Sequence, residues 1–255
     1  MSVLLRSRDG FIEILTLNRP AQRNALSAEL MEELSAALEE AEGCVEVRVV
    51  ILTGAGDKAF CAGMDLKDFA AGPDNRVPRS TVHFEAFIEG RFSKPVIAAV
   101  QASAVAGGFE LMLSCDLAVV SQAARFGIPE VKHGLFPGGG GVLLPARIPL
   151  AVALELGLTG DTIDATRIEQ LGLANRVVAP ERVLDTALEL ARRIAANAPL
   201  GLAATKRLMW ACVQEGGAAV RPKVQEAIRQ VFDSADAREG ALAFAEKRAP
   251  HWQGR

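Results

Sequence analysis

Three apolar runs rich in β-branched residues, Val47–Thr53, Pro95–Gln101 and Leu117–Val120, constrain this chain more than any other feature. Continuous runs of that kind suit strands covered on both faces, as in a mainly parallel sheet. Glycine turns and helical patterns separate them. The first run ends at Gly54-Ala55-Gly56, and a helix opened by Ala106-Gly107-Gly108 and continuing through Leu113 stands between the other two. Upstream, Val3–Arg6 and Phe11–Leu17 flank Asp9-Gly10 as a hairpin. Ser27 caps a helix with Leu30, Met31, Leu34, Leu38 and Ala41 on one stripe, ending near Gly43. This alternation predicts an α/β fold with right-handed crossovers, and leaves open a wound sheet or a coiled spiral.

From Leu150 onward the pattern is helical, with one strand candidate at Arg176–Ala179. Val183, Leu184, Ala187, Leu188, Ala191 and Ile194 form a stripe on a helix over Glu181–Ala196, and three more helices follow. Their lysines, Lys206, Lys223 and Lys247, are expected on solvated faces. A polar stretch over Ala71–Ser80, with Gly72, Pro73 and Pro78, is expected to be a mobile substrate loop. A core of residues 1–195 with a helical extension over 196–255 is the expected organisation.

A formal charge of −3 without a basic stripe argues against a nucleic-acid partner. No apolar stretch approaches the ~20 residues of a membrane span, and MSVLLRSRDG lacks a signal-like run. Cys44, Cys61, Cys115 and Cys212 form no metal-type spacing, and are expected to be small buried hydrophobes in a reducing, cytoplasmic setting. The three histidines, His83, His133 and His251, also lack metal spacing, so surface or structural roles and no metal site are expected.

Glu110 stands in AVAGGFELMLSCDLAVV, where apolar neighbours should desolvate its carboxylate and raise its pKa. Glu130 follows Arg125-Phe126-Gly127-Ile128-Pro129 at the end of a short extended run. Two carboxylates on different loops, one ionised and one protonated, are what acid/base chemistry at neutral pH requires; ion pairing is the alternative. Glycines just before a helix leave backbone N–H groups free for a developing oxyanion, and the Ala62-Gly63-Met64 turn can present one more. Gly138–Gly141 lacks the ending of a phosphate loop and is expected to be a flexible wall or helix-start loop.

These segments together resemble the crotonase, or enoyl-CoA hydratase, family along nearly the whole chain. The matching runs are NRPAQRNALS, KAFCAGMDLKDF, KPVIAAVQASAVAGGFELMLSCDLAVV, ARFGIPEVKHGLFPGGGG, LTG, GLANRVV and AFAEKR, in that order. The resemblance implies a spiral of ββα units followed by a helical trimerisation region, assembled as a homotrimer or dimer of trimers. It implies that the Met64 and Gly107 N–H groups hold the oxygen of an acyl-CoA thioester, with Glu110 and Glu130 flanking a water. Glu110 is expected chiefly to activate the water and Glu130 to supply the proton to the α-carbon, with the reverse assignment open. It further implies that the coenzyme lies near the Ala62 backbone, with Arg23, Lys58, Lys67 and a neighbouring subunit's Lys247 near its phosphates, and that CoA enters as part of the substrate with no separate cofactor. Hydration of an enoyl-CoA is the expected activity. An isomerase, a carnitinyl-type dehydratase, a thioester hydrolase and a silent CoA-binding protein are the alternatives. Departures from the family pattern at Ala106, Phe109 and Val142-Leu143-Leu144-Pro145 are expected to line or support the acyl pocket.

Overall fold

A computed structural model of the protein describes residues 2–65, 70, 72 and 81–255. Lys67 and, Gly72 aside, the expected loop over 71–80 lie outside the described residues.

The predicted hairpin is β1 (Leu4–Asp9) and β2 (Ile12–Leu17), paired antiparallel around Gly10 with φ 57°. Helix α1 (Ala28–Gly43) follows, and the Ser27 side chain accepts a hydrogen bond from the Leu30 N–H at 3.3 Å. Next come β3 (Val49–Gly54), α2 (Val82–Ile88), β4 (Val96–Val100), β5 (Ala104–Val105), α3 (Gly107–Ser114), β6 (Leu117–Ser121) and β7 (Arg125–Gly127). Helix α4 (Leu150–Thr159), β8 (Ile163–Asp164), α5 (Ala165–Gln170), β9 (Arg176–Val178) and α6 (Val183–Ala195) complete the sheet-bearing part.

Six strands join in the order β1-β2-β3-β4-β6-β9, and every pair from β2 onward is parallel. Because side chains alternate along a strand, the two faces carry different cores. Val50, Leu52, Ala98, Val100, Ala118 and Val120 pack toward α1 and its Leu30, Leu34 and Leu38. Val49, Ile51, Ile97, Ala99 and Val119 pack toward Val183, Ala187 and Ala191 of α6. A second, three-stranded sheet, β5-β7-β8, has two- and three-residue strands too short to show a period in the sequence.

The chain ends in α7 (Pro199–Glu215), α8 (Gly217–Phe232) and α9 (Ala235–Glu246). Several expectations change here. Lys206 is not solvated: its ammonium is buried, 2.8 Å from Asp116 and donating to the Lys94 carbonyl at 2.7 Å. Trp210, one turn on, donates to the other Asp116 oxygen at 2.7 Å, so α7 is pinned to the sheet-bearing part by a polar lock. Leu184, assigned to the buried stripe, is exposed, as is Cys212; Cys61 and Cys115 are buried and Cys44 partly so. Phe11 is half exposed, outside β2, with the Arg48 guanidinium 3.8 Å above its ring. Among the described residues, no helix is long and apolar enough to cross a membrane.

Candidate active site

A cleft of about 690 Å³ opens beside the N-terminus of α3. Glu110 enters it from the first turn of that helix, and Glu130 from the 3-10 turn Pro129–His133 that follows β7. Both carboxylates are buried, at 6% and 9% exposure, in a cleft whose other walls include Leu26, Met31, Phe84, Ile88 and Leu135.

The two acids differ in what holds them. One Glu110 oxygen, Oε1, accepts hydrogen bonds from the Gly139 and Gly141 amides, each at 2.8 Å. Burial pushes the Glu110 carboxyl above its ordinary range, and those two amides work against the rise. Burial also pushes Glu130 up; its own backbone N–H opposes the rise and the negative charge of Glu110 adds to it. Glu130 Oε2 is buried without a hydrogen-bond partner among the described residues. Both carboxyls are thus held above the ordinary range, and the contrast between them lies in their partners: two amides on Glu110 Oε1, and none on Glu130 Oε2 among the described residues.

Backbone donors converge on the same cleft. The Leu26 N–H donates to the Gly63 carbonyl at 2.8 Å and the Asp65 N–H to the Leu26 carbonyl at 3.0 Å, so the bridge straddles Met64. In a parallel bridge the straddled residue turns its own N–H away from the partner segment. Gly107 is the first residue of α3, where helical N–H groups have no partner within the helix. Neither amide donates to another group among the described residues. Both residues line the cleft, and the segments that carry them touch: a Cβ at Gly63 would stand 2.8 Å from the Gly107 nitrogen. At Gly108 a Cβ would stand 2.0 Å from the Cys61 carbonyl oxygen, which is why glycine is needed for this approach.

Ala106 turns the chain into α3 at φ 51° and ψ −135°, a conformation that glycine adopts freely and alanine only under strain. Asn24, fully buried at φ 55°, ties the NRPAQRNALS loop to the glycine loop after β3. Its side chain accepts from the Arg19 N–H at 2.9 Å and donates to the Ala55 and Ala59 carbonyls at 2.9 and 2.8 Å. Such links across 31 and 35 positions leave no mark in local sequence.

The structure brings Glu110, Glu130, Met64, Gly107, Arg23 and Ala62 to one cleft. The Ala62 N–H donates to the Arg23 carbonyl at 3.0 Å, joining two of the segments expected around the coenzyme. Lys58 does not share this cleft; it lines a separate, smaller hollow with Gln101, Ser103 and Pro180. Lys247 is exposed at the end of α9. His133 joins the cleft unexpectedly. It is three residues after Glu130 on a 3-10 turn, where positions i and i+3 eclipse, and that spacing was the signal. Ala106 lines the cleft, but Phe109 is buried in the core against Phe126, and Val142 and Leu143 are exposed outside the cleft lining. Gly138–Gly141 is a wall and the start of a 3-10 turn as expected, yet its larger structural part, gripping Glu110, was not legible.

Residues 7–255 match the family model described as enoyl-CoA hydratase/isomerase. The chain is 42% identical to the enoyl-CoA hydratase EchA19 of Mycobacterium tuberculosis, covering 98% of this chain and 96% of that protein. It is 40% identical to the carnitinyl-CoA dehydratase of Proteus mirabilis, over 100% and 99% of the two chains. A crystal structure of an enoyl-CoA hydratase from Mycobacterium tuberculosis H37Rv superposes with a TM-score of 0.92 at 43% identity, over the full length of both chains.

Proposed function

Because the chain belongs to the enoyl-CoA hydratase/isomerase family, with the crotonase fold, we propose that it adds water across the 2,3 double bond of an enoyl-CoA thioester. The observation that carries this reading is the pairing of two buried carboxylates with two backbone amides that have no partner among the described residues, all in one cleft.

In the proposed reaction the Met64 and Gly107 amides hold the thioester oxygen. Glu110, its carboxylate oxygen held by the Gly139 and Gly141 amides, is the proposed base and takes a proton from water as the water oxygen bonds to C3. Negative charge then collects on the thioester oxygen, where each fixed donor is worth roughly 3–4 kcal/mol in the transition state. Glu130, whose Oε2 has no partner among the described residues, is the proposed acid and delivers a proton to C2. The oxygen and one hydrogen of water end on C3, the C2 proton comes from Glu130, and a proton passing from Glu110 to Glu130 resets the pair. This is proton transfer and addition, and it calls on no separate cofactor, CoA being part of the substrate.

Arg23 and the Ala62 backbone are the proposed coenzyme contacts within the cleft. Lys58, Lys67 and a neighbouring copy's Lys247 are proposed as phosphate contacts outside it. The helices beyond residue 195 are proposed to assemble the chain as a homotrimer or dimer of trimers. Large apolar side chains left exposed on one chain, among them Leu158, Met209 and Phe244, support association. The identity with a carnitinyl-CoA dehydratase favours one further reading, the reverse reaction on a hydroxyacyl thioester, which the same pair would run by microscopic reversibility.

Incubation with crotonyl-CoA and enoyl-CoAs of graded length, followed by chromatography, tests the proposal. Hydroxyacyl-CoA product is expected. Free CoA, a shifted double bond, or no product at high enzyme concentration would contradict it.

A further inference from the structure

In the 3-10 turn Gly141–Ala146, Val142 and Leu143 are more than half exposed, while Leu144 between them and Arg147 is buried in the core. The turn's first residue sets an atom of the active site: the Gly141 amide, with that of Gly139, fixes Glu110 Oε1. Its far end is fastened to the same helix. Arg147 follows the turn, and its Nη1 donates at 2.7 Å to the carbonyl of Leu113, in the last turn of α3. Glu110 is in the first turn of α3, so the segment grips that short helix at both ends. The Leu113 end is a firm anchor. Just beyond it, Asp116 accepts from the Val96 N–H at 2.7 Å and from Trp210 at 2.7 Å, and pairs with Lys206 at 2.8 Å.

We infer that Arg147 is a positioning residue for the reaction: by tying the end of the turn to the anchored end of α3, it holds the Gly139 and Gly141 amides on the Glu110 carboxylate. The inference rests on the hydratase reading for its kinetic consequence, though not for its structural one. A guanidinium suits the place, since the carbonyls at a helix C-terminus are unpaired and carry partial negative charge. Losing the tie lets the turn drift and leaves the carboxylate with looser donors, while the other cleft walls stay in place. Turnover should therefore suffer more than substrate binding.

The test compares Arg147→Met, which keeps most of the apolar stem, with Arg147→Lys, whose ammonium can still donate to the Leu113 carbonyl. With crotonyl-CoA, Arg147→Met should lower kcat about 10- to 100-fold with KM within about twofold, and Arg147→Lys should recover most of the loss. Amide hydrogen exchange on the substrate-free protein should speed up at Gly139 and Gly141 in Arg147→Met and leave β3 and β4 unchanged. Unchanged kcat in Arg147→Met would overturn the inference. So would a loss shared equally by both variants with faster exchange throughout the chain, the mark of a merely structural residue. If the wild-type protein hydrates no enoyl thioester, the hydratase reading fails, and the exchange at Gly139 and Gly141 still decides whether Arg147 holds those amides.

Discussion

At Glu130 the proposed chemistry and the stability of the chain pull in opposite directions. Its carboxyl is buried, one oxygen lacks a partner among the described residues, and Glu110 stands near enough to add a like charge. The folded protein therefore holds that proton to higher pH than the unfolded chain does. Stability falls as pH rises through the window between the unfolded value, roughly 4.3, and the raised folded one, and the penalty is complete above it. Glu130→Gln removes the charge and nearly keeps the shape. Thermal unfolding should show the variant more stable than wild type at neutral pH, with the gap closing as pH falls toward about 4.3. A gap that widens on acidification would contradict this account. Both acids were legible in the sequence because carboxylates amid apolar neighbours are rare. Their different surroundings were not, since these come from Gly139 and Gly141, whose amides reach Glu110 across 29 and 31 positions.

Among the elements, the meeting of the 61–64 segment with the start of α3 matters most. Gly63, at φ 84°, has no room for a side chain: a Cβ would stand 2.7 Å from the Ala106 Cβ and 2.8 Å from the Gly107 nitrogen. Gly63→Ala must push one free amide away from the other. Turnover of an enoyl thioester should drop about 10²- to 10³-fold, with about 1–3 kcal/mol lost from stability. Wild-type turnover in a folded Gly63→Ala protein would show that the two amides do not act together. Sequence periodicity predicted α1, β3, β4, α3, β6 and α6 because each buries a regular face. It missed β5 and β8, whose two residues each are held by partners distant in the chain, while β7 falls in the short extended run expected before Glu130. It also placed Leu184 on the buried stripe of α6, where a helix covering a sheet leaves its margin in solvent.

For the molecule as a whole, the likeness of fold extends over the full chain, so the open alternative between wound sheet and spiral resolves as the crotonase spiral, with helices at its C-terminus. Lys206 was the least legible feature of that end. A lysine on a helix usually marks a solvated face, and only the fold brings Asp116 to it. The exposed apolar side chains at Leu158, Met209 and Phe244 lead to a prediction on assembly. Sedimentation equilibrium at micromolar concentration should give three or six times the 27.0 kDa mass of one chain. A monomer would contradict the proposed trimer, and would leave Lys247 unable to serve a neighbour's cleft.

The central claim is that Glu110 and Glu130 together carry protons for water addition in a cleft that binds CoA thioesters by other groups. Its most direct test is single-turnover hydration of crotonyl-CoA by Glu110→Gln and Glu130→Gln, beside calorimetric binding of a saturated acyl-CoA. Each variant should lose about 10²- to 10⁴-fold in rate and bind the thioester within a few-fold of wild type. A variant that hydrates at the wild-type rate, or one whose loss lies wholly in binding, would contradict the account.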